Sequence, residues 1–196
     1  MDVDTSVTVR AVVRYAGGPF AGWQVQPDRR TVQGDIERAL AQIAGAPVRI
    51  QGAGRTDAGV HALAQVCSFA WRADADLEQL RHSLTKMLAP DIRFTALDAA
   101  PSGFHARKSA TGKKYWYCVS TAREADPLGA PYVWTLPRGV DLDRLRALCA
   151  RFVGTHDFAG FQSSGAEKAT TVRTLHAIEL VEGAVVSPVD AHGLYA

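Results

Sequence analysis

The order in which the chain switches between strand and helix periodicity constrains its fold more than any other feature. Val7, Val9, Ala11 and Val13 alternate with Thr8, Arg10 and Arg14, the two-residue period of a strand with one buried face. Gly17-Gly18-Pro19 breaks that pattern into a loop. Thr31 can cap a helix, and Val32, Ile36, Leu40 and Ile43 then recur near i, i+4 spacing until Gly45 and Pro47 end it. Val48 and Ile50 open a second short strand. In a third, Cys67, Phe69 and Trp71 alternate with Val66, Ser68 and Ala70. Asp76 with Gln79 resembles a capping box ahead of a helix face made by Leu77, Leu80, Leu84 and Leu88. Ile92, Phe94 and Ala96 suggest a fourth strand. The order is βαββαβ, which predicts the ferredoxin-like arrangement of a split βαβ unit.

A second set of elements begins near Phe104. Tyr115, Tyr117 and Val119 alternate with Trp116 and Cys118 as in a strand, Leu142, Leu145, Cys149 and Phe152 follow helical spacing, and Val172 to Leu180 reads as another strand. A second βαββαβ unit would need one more helix and strand, but Ala184-Val185-Val186 runs at once into Ser187-Pro188 and a short tail. The predicted class is therefore α+β. Residues 1–104 form a first half and residues 105–196 a second, incomplete half whose sheet keeps an uncovered apolar face.

Composition narrows the classes. Of 196 residues, 47% are hydrophobic, enough for a packed core rather than disorder. No run of 18 apolar residues exists, so no membrane span is expected. The acidic start Met1-Asp2-Val3-Asp4 does not read as a signal peptide. Cys67, Cys118 and Cys149 form no C-x-x-C pair, which fits reduced thiols in a cytosol. A net charge of +2 neither requires nor excludes a nucleic acid, because local patches matter more than totals. Basic pairs stand at Arg29 and Arg30, Arg107 and Lys108, and Lys113 and Lys114; taken singly, each reads as a solvated loop.

The stretch Gly54-Arg55-Thr56-Asp57-Ala58-Gly59-Val60-His61-Ala62 lies between two strand-like segments, so it is expected as a loop at a sheet end. Its small residues allow sharp turns and close approach to a ligand. Arg55 beside Asp57 would favour the ionised carboxylate, and a positioned carboxylate can be a nucleophile. An aspartate whose side chain holds a structural turn fits the same residues equally well. His61 and His105 have no metal-ligand spacing, so no metal is expected. Trp23 reads as a core or interface aromatic.

The nine-residue loop resembles the signature of the tRNA pseudouridine synthases of the A type. Other stretches resemble that family in the same order along the chain. They are Phe20-Ala21-Gly22-Trp23-Gln24 with Thr31-Val32-Gln33, Phe104-His105-Ala106-Arg107 with Ser109-Ala110, and Lys114-Tyr115-Trp116-Tyr117. Asp157-Phe158-Ala159-Gly160-Phe161 with Thr171-Val172-Arg173-Thr174-Leu175 comes next, and His192-Gly193-Leu194-Tyr195 closes the series. The resemblance implies a cytoplasmic homodimer of two ferredoxin-like halves whose antiparallel sheets flank a central basic cleft. It implies an isomerase that makes pseudouridine in the anticodon stem-loop of tRNA, at positions 38, 39 and 40, with no cofactor and no metal. Asp57 matches the family's essential aspartate, Tyr115 the tyrosine that stacks on the target base, and Arg55 an arginine that holds the flipped nucleotide. By spacing alone, Tyr115 reads as a core strand aromatic. His61, Arg107, Lys113 and Lys114 are candidate RNA contacts.

The match also has departures. Ala16 stands where the family usually has Asp, and Lys86-Met87-Leu88-Ala89 replaces an asparagine-containing run before Pro90. The family's long block before the closing strand, with a Met-Val-Arg segment whose arginine pairs with the aspartate, has no counterpart after Val186. The simplest reading is an internal deletion, a damaged gene or a mis-assembled reading frame. It leaves two expectations: an active synthase, or a non-catalytic RNA-binding remnant.

Overall fold

Strand β1, Ser6–Tyr15, buries Val9, Ala11, Val13 and Tyr15 and leaves Arg10 exposed, so the alternation read from the sequence is the alternation of faces. The computed structural model describes residues 6–136, 139–162 and 170–183. Contacts divide the chain into two compact units, residues 1–115 and 116–196.

In the first unit, α1 (Val32–Ala44), β2 (Gln51–Gly52), β3 (Ala62–Arg72), α2 (Leu77–Leu88) and β4 (Ile92–Ala99) come after β1. The sheet order is β2-β3-β1-β4, and every neighbouring pair is antiparallel. Register sets apolar side chains opposite each other on one face: Val9 against Phe69, Ala11 against Cys67, Val13 against Phe94, Tyr15 against Ile92. The helices supply Val32, Ile36, Ala39 and Leu40 from α1 and Leu80 and Leu84 from α2 to the same core. Ile43, of the predicted α1 stripe, lies in the last turn and is 40% exposed.

Local chemistry ends the helices where the sequence suggested. The Thr31 hydroxyl accepts from Gly34 N at 3.2 Å, and Gly45 closes α1 at φ 70°, donating to Ala41 O. Asp76 accepts from Gln79 N at 2.9 Å at the start of α2. Glu37 is buried because it is fully engaged: it accepts from Ile50 N, Gln33 and Arg49 at 2.9–3.0 Å and so ties α1 to the entry of β2. On the other face of the sheet, the buried Ser68 hydroxyl accepts from Ala106 N at 3.2 Å, which anchors the turn after Gly103 on β3.

Cys67 is fully buried, and burial pushes its thiol up to about 12 from an ordinary 9.0. The folded state then holds the thiol proton more tightly than the unfolded chain does. Its contribution is fully present below pH 9 and is lost as pH rises from 9 toward 12, by about 4 kcal/mol in all. Burial raises Tyr15 as well, and its contribution begins to fall near pH 10. Urea midpoints measured from pH 8 to 10 should therefore drop in the native chain and drop much less in Cys67→Ala. Parallel curves for the two proteins would refute this.

The second unit contains β5 (Val119–Ser120), β6 (Trp134–Thr135), α3 (Leu142–Ala150), β7 (Gly154–Asp157), a 3₁₀ turn (Ala159–Phe161) and β8 (Val172–Leu175). Asp141 caps α3 by accepting from Arg144 N at 2.9 Å. The Asp157-to-Phe161 motif folds as an aromatic cluster, with Phe152 stacked on Phe158 and edge-on to Phe161 at 5.8 Å. Hydrogen bonds from the Thr171 hydroxyl, and then from Ala159 N, hold the Asp157 carboxyl below its ordinary range.

Two expected strands are shorter here. The one placed at Tyr115 to Val119 is reduced to Val119–Ser120, paired in parallel with β6, and Val172 to Leu180 is reduced to Val172–Leu175. A strand persists only where a neighbour takes up its N–H and C=O groups, and the described residues supply two-stranded pairs rather than a four-stranded sheet. Tyr115, Trp116 and Tyr117 accordingly stand exposed on non-strand backbone. The expected junction after Gly183 and the His192-to-Tyr195 motif lie outside the described residues. The architecture as a whole is mixed α and β, with three α-helices among the described residues and largely antiparallel pairing.

Candidate active site

Three connections meet at one end of the first sheet: residues 16–31 after β1, 53–61 between β2 and β3, and the turn before β4. Register shifts sit at this end of β1, between Val12 and Val13 against β4 and between Val13 and Tyr15 against β3. Such bulges bend the strands and re-aim the connections at their ends.

The 53–61 connection, which carries the Asp57 loop, is fastened along its length. Ala53 N donates to Val66 O, and Gln65 donates to Gly54 O, both at 2.8 Å. Thr56 O accepts from Trp23 N at 3.0 Å, and the Thr56 hydroxyl pairs with the buried Tyr15 hydroxyl at 2.9 Å. Gly59 N donates to Phe20 O, and Val60 N to Asp57 O. Gly22 takes φ 105° beside Thr56, and a Cβ there would stand 2.8 Å from Thr56 O, so only glycine lets the two loops close this far. Gln33 of the Thr31-Val32-Gln33 motif stitches the 16–31 loop to the entry of β2. It donates from its backbone to Trp23 O, accepts from Val25 N and donates to Ile50 O.

Asp57 itself is exposed. Elsewhere in the chain, aspartates that hold turns bond nearby backbone: Asp126 accepts from Leu128 N and Asp157 from Ala159 N. Among the described residues the Asp57 carboxylate makes no hydrogen bond or ion pair, and neither does the exposed guanidinium of Arg55. The sequence neighbours are thus not an ion pair. The backbone around Asp57 is held while its carboxylate is left available.

The other expected residues take different places. His61 is half-buried, and its Nδ1 accepts from Gly17 N at 3.1 Å. Arg107 and Lys113 line a shallow cavity of about 260 Å³ with Ala53 and Thr111, and the Lys113 ammonium lies against Gly54. Lys114 is exposed, and the Tyr115 ring is 72% exposed.

Sequence reasoning missed Arg30. Its guanidinium bonds Asp35 at 2.9 Å and Asp91 at 2.8 Å and lies 4.6 Å over the Phe20 ring. Partial burial works against its charge, but hydrogen bonds to Asp91 and Asp35 outweigh that and raise its pKa. Arg30 therefore clamps α1, the turn before β4 and the Phe20 segment that receives Gly59. From the sequence it read only as half of the Arg29 and Arg30 pair in a solvated loop. Arg30→Ala is expected to strand the buried Asp35 with Arg38 alone, destabilising by about 1–2 kcal/mol because the clamp is half-exposed. The melting temperature should fall by roughly 3–8 °C, and an unchanged value would refute the clamp.

The exposed Asp57 carboxylate thus stands on a pinned glycine-rich loop, with cations on neighbouring segments. The family model described as tRNA pseudouridine synthase matches residues 11–107 and 148–193. The tRNA pseudouridine synthase A of Geobacter sp. (strain M21) is 37% identical over 185 residues, which is 94% of this chain and 75% of that protein. That of Listeria monocytogenes serotype 4a (strain HCC23) is 38% identical over 88% of this chain and 70% of its own length, and that of Solibacter usitatus (strain Ellin6076) is 40% identical over 85% and 71%. The chain belongs to the tRNA pseudouridine synthase family. Asp57, Arg55, His61 and Arg107 fall inside the matched segments, while Lys113, Lys114 and Tyr115 fall in the stretch between them.

Proposed function

We propose that this chain isomerises uridine to pseudouridine in the anticodon stem-loop of tRNA, around positions 38, 39 and 40, with Asp57 as the catalytic nucleophile. The observation that carries the reading is the Asp57 carboxylate, displayed from a loop whose backbone is bonded on both sides but holding no turn itself. The reaction breaks the bond from C1′ to N1 of uracil, turns the base, and joins C1′ to C5; C5 gives up its proton and N1 takes one up from solvent, so the product is an isomer of the substrate. Nothing is oxidised or reduced, so the chemistry calls for no redox cofactor. The carboxylate can serve at C1′, at the 2′ proton or at C6, and each route needs it within reach of a nucleotide taken out of the stem. Extrusion costs a few kcal/mol. The exposed Tyr115 ring offers a stacking surface worth about 1–3 kcal/mol toward it. Arg55, Arg107, Lys113 and Lys114 are exposed cations suited to phosphate contacts.

The same reading takes residues 1–104 as the ferredoxin-like half carrying the catalytic loop and residues 105–196 as a second, shortened half. The active protein is a cytoplasmic homodimer; three free thiols suit that compartment. A second reading, tRNA binding without turnover, is favoured by one observation: no Met-Val-Arg triplet occurs in the sequence. Tritium release separates the two. With transcript labelled at C5 of uridine, bond formation at C5 expels the label. Release that saturates with tRNA supports the synthase, and salt-sensitive binding with no release establishes the second reading.

A further inference from the structure

Arg29 and Arg30 are adjacent, yet the fold treats them differently. Arg30 is compensated by Asp35 and Asp91. Arg29 is exposed and makes no ion pair among the described residues. Its presentation is built rather than loose. Gln26 and Arg29 form an antiparallel bridge around Pro27-Asp28, with Asp28 at φ 55°. Proline ahead of a positive-φ residue suits a tight turn, and aspartate is among the few side chains that tolerate positive φ. The turn is held at its base, where Gln26 donates to Ala21 O at 2.8 Å and Ala21 N to Arg30 O at 2.9 Å.

This turn borders an open cavity of about 450 Å³, whose lining includes Gly18, Phe20, Gln26, Arg29, Arg30 and Ala58. Ala58, the residue after Asp57 in the chain, is part of that lining, so the cavity reaches the Asp57 loop, although Asp57 itself does not line it. The nearest acid of the turn, Asp28, is not among the lining residues. Among the described residues, Arg29 is thus the lining guanidinium without an ion pair, a fork-shaped donor matched to phosphate oxygens.

We infer that this cavity is a phosphate subsite in which Arg29 grips a single backbone phosphodiester of the RNA next to the reacting nucleotide. The inference rests on the proposed tRNA substrate and adds to it a point of registration. A base flipped toward Asp57 must have its backbone fixed close by, and phosphate contacts set register without reading sequence. Arg30 holds the wall of the subsite and Arg29 holds the ligand.

The test uses the whole chain and an unmodified tRNA transcript. Arg29→Ala should weaken binding by roughly three- to tenfold and reduce the slope of log K against log salt by about 0.7–0.9, one contact's share. Arg29→Lys should keep most of that slope, since the charge remains. A scan of methylphosphonate-substituted anticodon arms locates the contact. Neutralising one phosphate beside the target should weaken the native protein as Arg29→Ala does, and should weaken Arg29→Ala no further. An unchanged slope in Arg29→Ala, or equal losses at every scanned position in both proteins, overturns the subsite while leaving the substrate intact. Failure of the native chain to bind tRNA at all brings down the substrate reading and the subsite together.

Discussion

Asp57→Asn is expected to lower pseudouridine formation by at least about 10³-fold, because the amide keeps the shape of the carboxylate but cannot act as the nucleophile. Affinity for tRNA should stay within a few-fold of the native value. Removing one negative charge from a surface that meets phosphates favours binding slightly, if it changes it at all. Stability should change by less than about 0.5 kcal/mol, as expected for an exposed side chain without internal bonds. The combination separates a chemical role from a turn-holding one. An aspartate that held the turn would lose stability on substitution and activity only in proportion. Turnover at the native rate in the Asn variant would remove Asp57 from the mechanism.

Gly17→Ala is expected to give the second-largest loss of activity, for a reason unrelated to chemistry. A Cβ at Gly17 would stand 2.1 Å from Val60 O, 2.4 Å from Val60 C and 2.7 Å from Gly59 C. All three are backbone atoms of the Asp57 loop, so no rotamer change relieves the overlap. One loop must retreat by roughly an ångström, and the bond from Gly17 N to His61 goes with it. Overpacking of this kind costs about 1–3 kcal/mol, and a misplacement of that size can lower kcat about 10²-fold. Gly18→Ala is the stability control, since nothing lies within 4 Å of its added Cβ. Its melting temperature should match the native protein's. Gly17→Ala with native stability and native kcat would show that the two loops are not rigidly coupled.

The periodicities of the first unit were legible because each is a local consequence of one buried face. Val9, Ala11 and Val13 point into the core for the same reason that Arg10 does not. Past Phe104 the same reasoning gave strand patterns longer than the strands that form. Alternation records which residues could share a face, but a strand also needs a neighbour along its length, and Tyr115 to Cys118 lie outside the strand pairs that form. Of the site, Asp57 and its loop were legible through motif and glycine content. The Arg30 clamp was not, because Asp91 lies in a different connection and only sheet register brings it near.

By itself, then, the sequence determined the element order of the first unit, its helix caps at Thr31, Gly45 and Asp76, the loop that carries Asp57 and the family. These rest on short-range periodicity, on side chains bonding backbone a few residues away, and on a contiguous motif. Only the tertiary structure decided that the Asp57 carboxylate holds no turn, that His61 braces Gly17, and that Arg30 is neutralised while Arg29 is not. Those outcomes depend on groups such as Asp91 for Arg30 and Gly17 for His61, distant in the chain and brought together by the sheet and by the bonds between its loops.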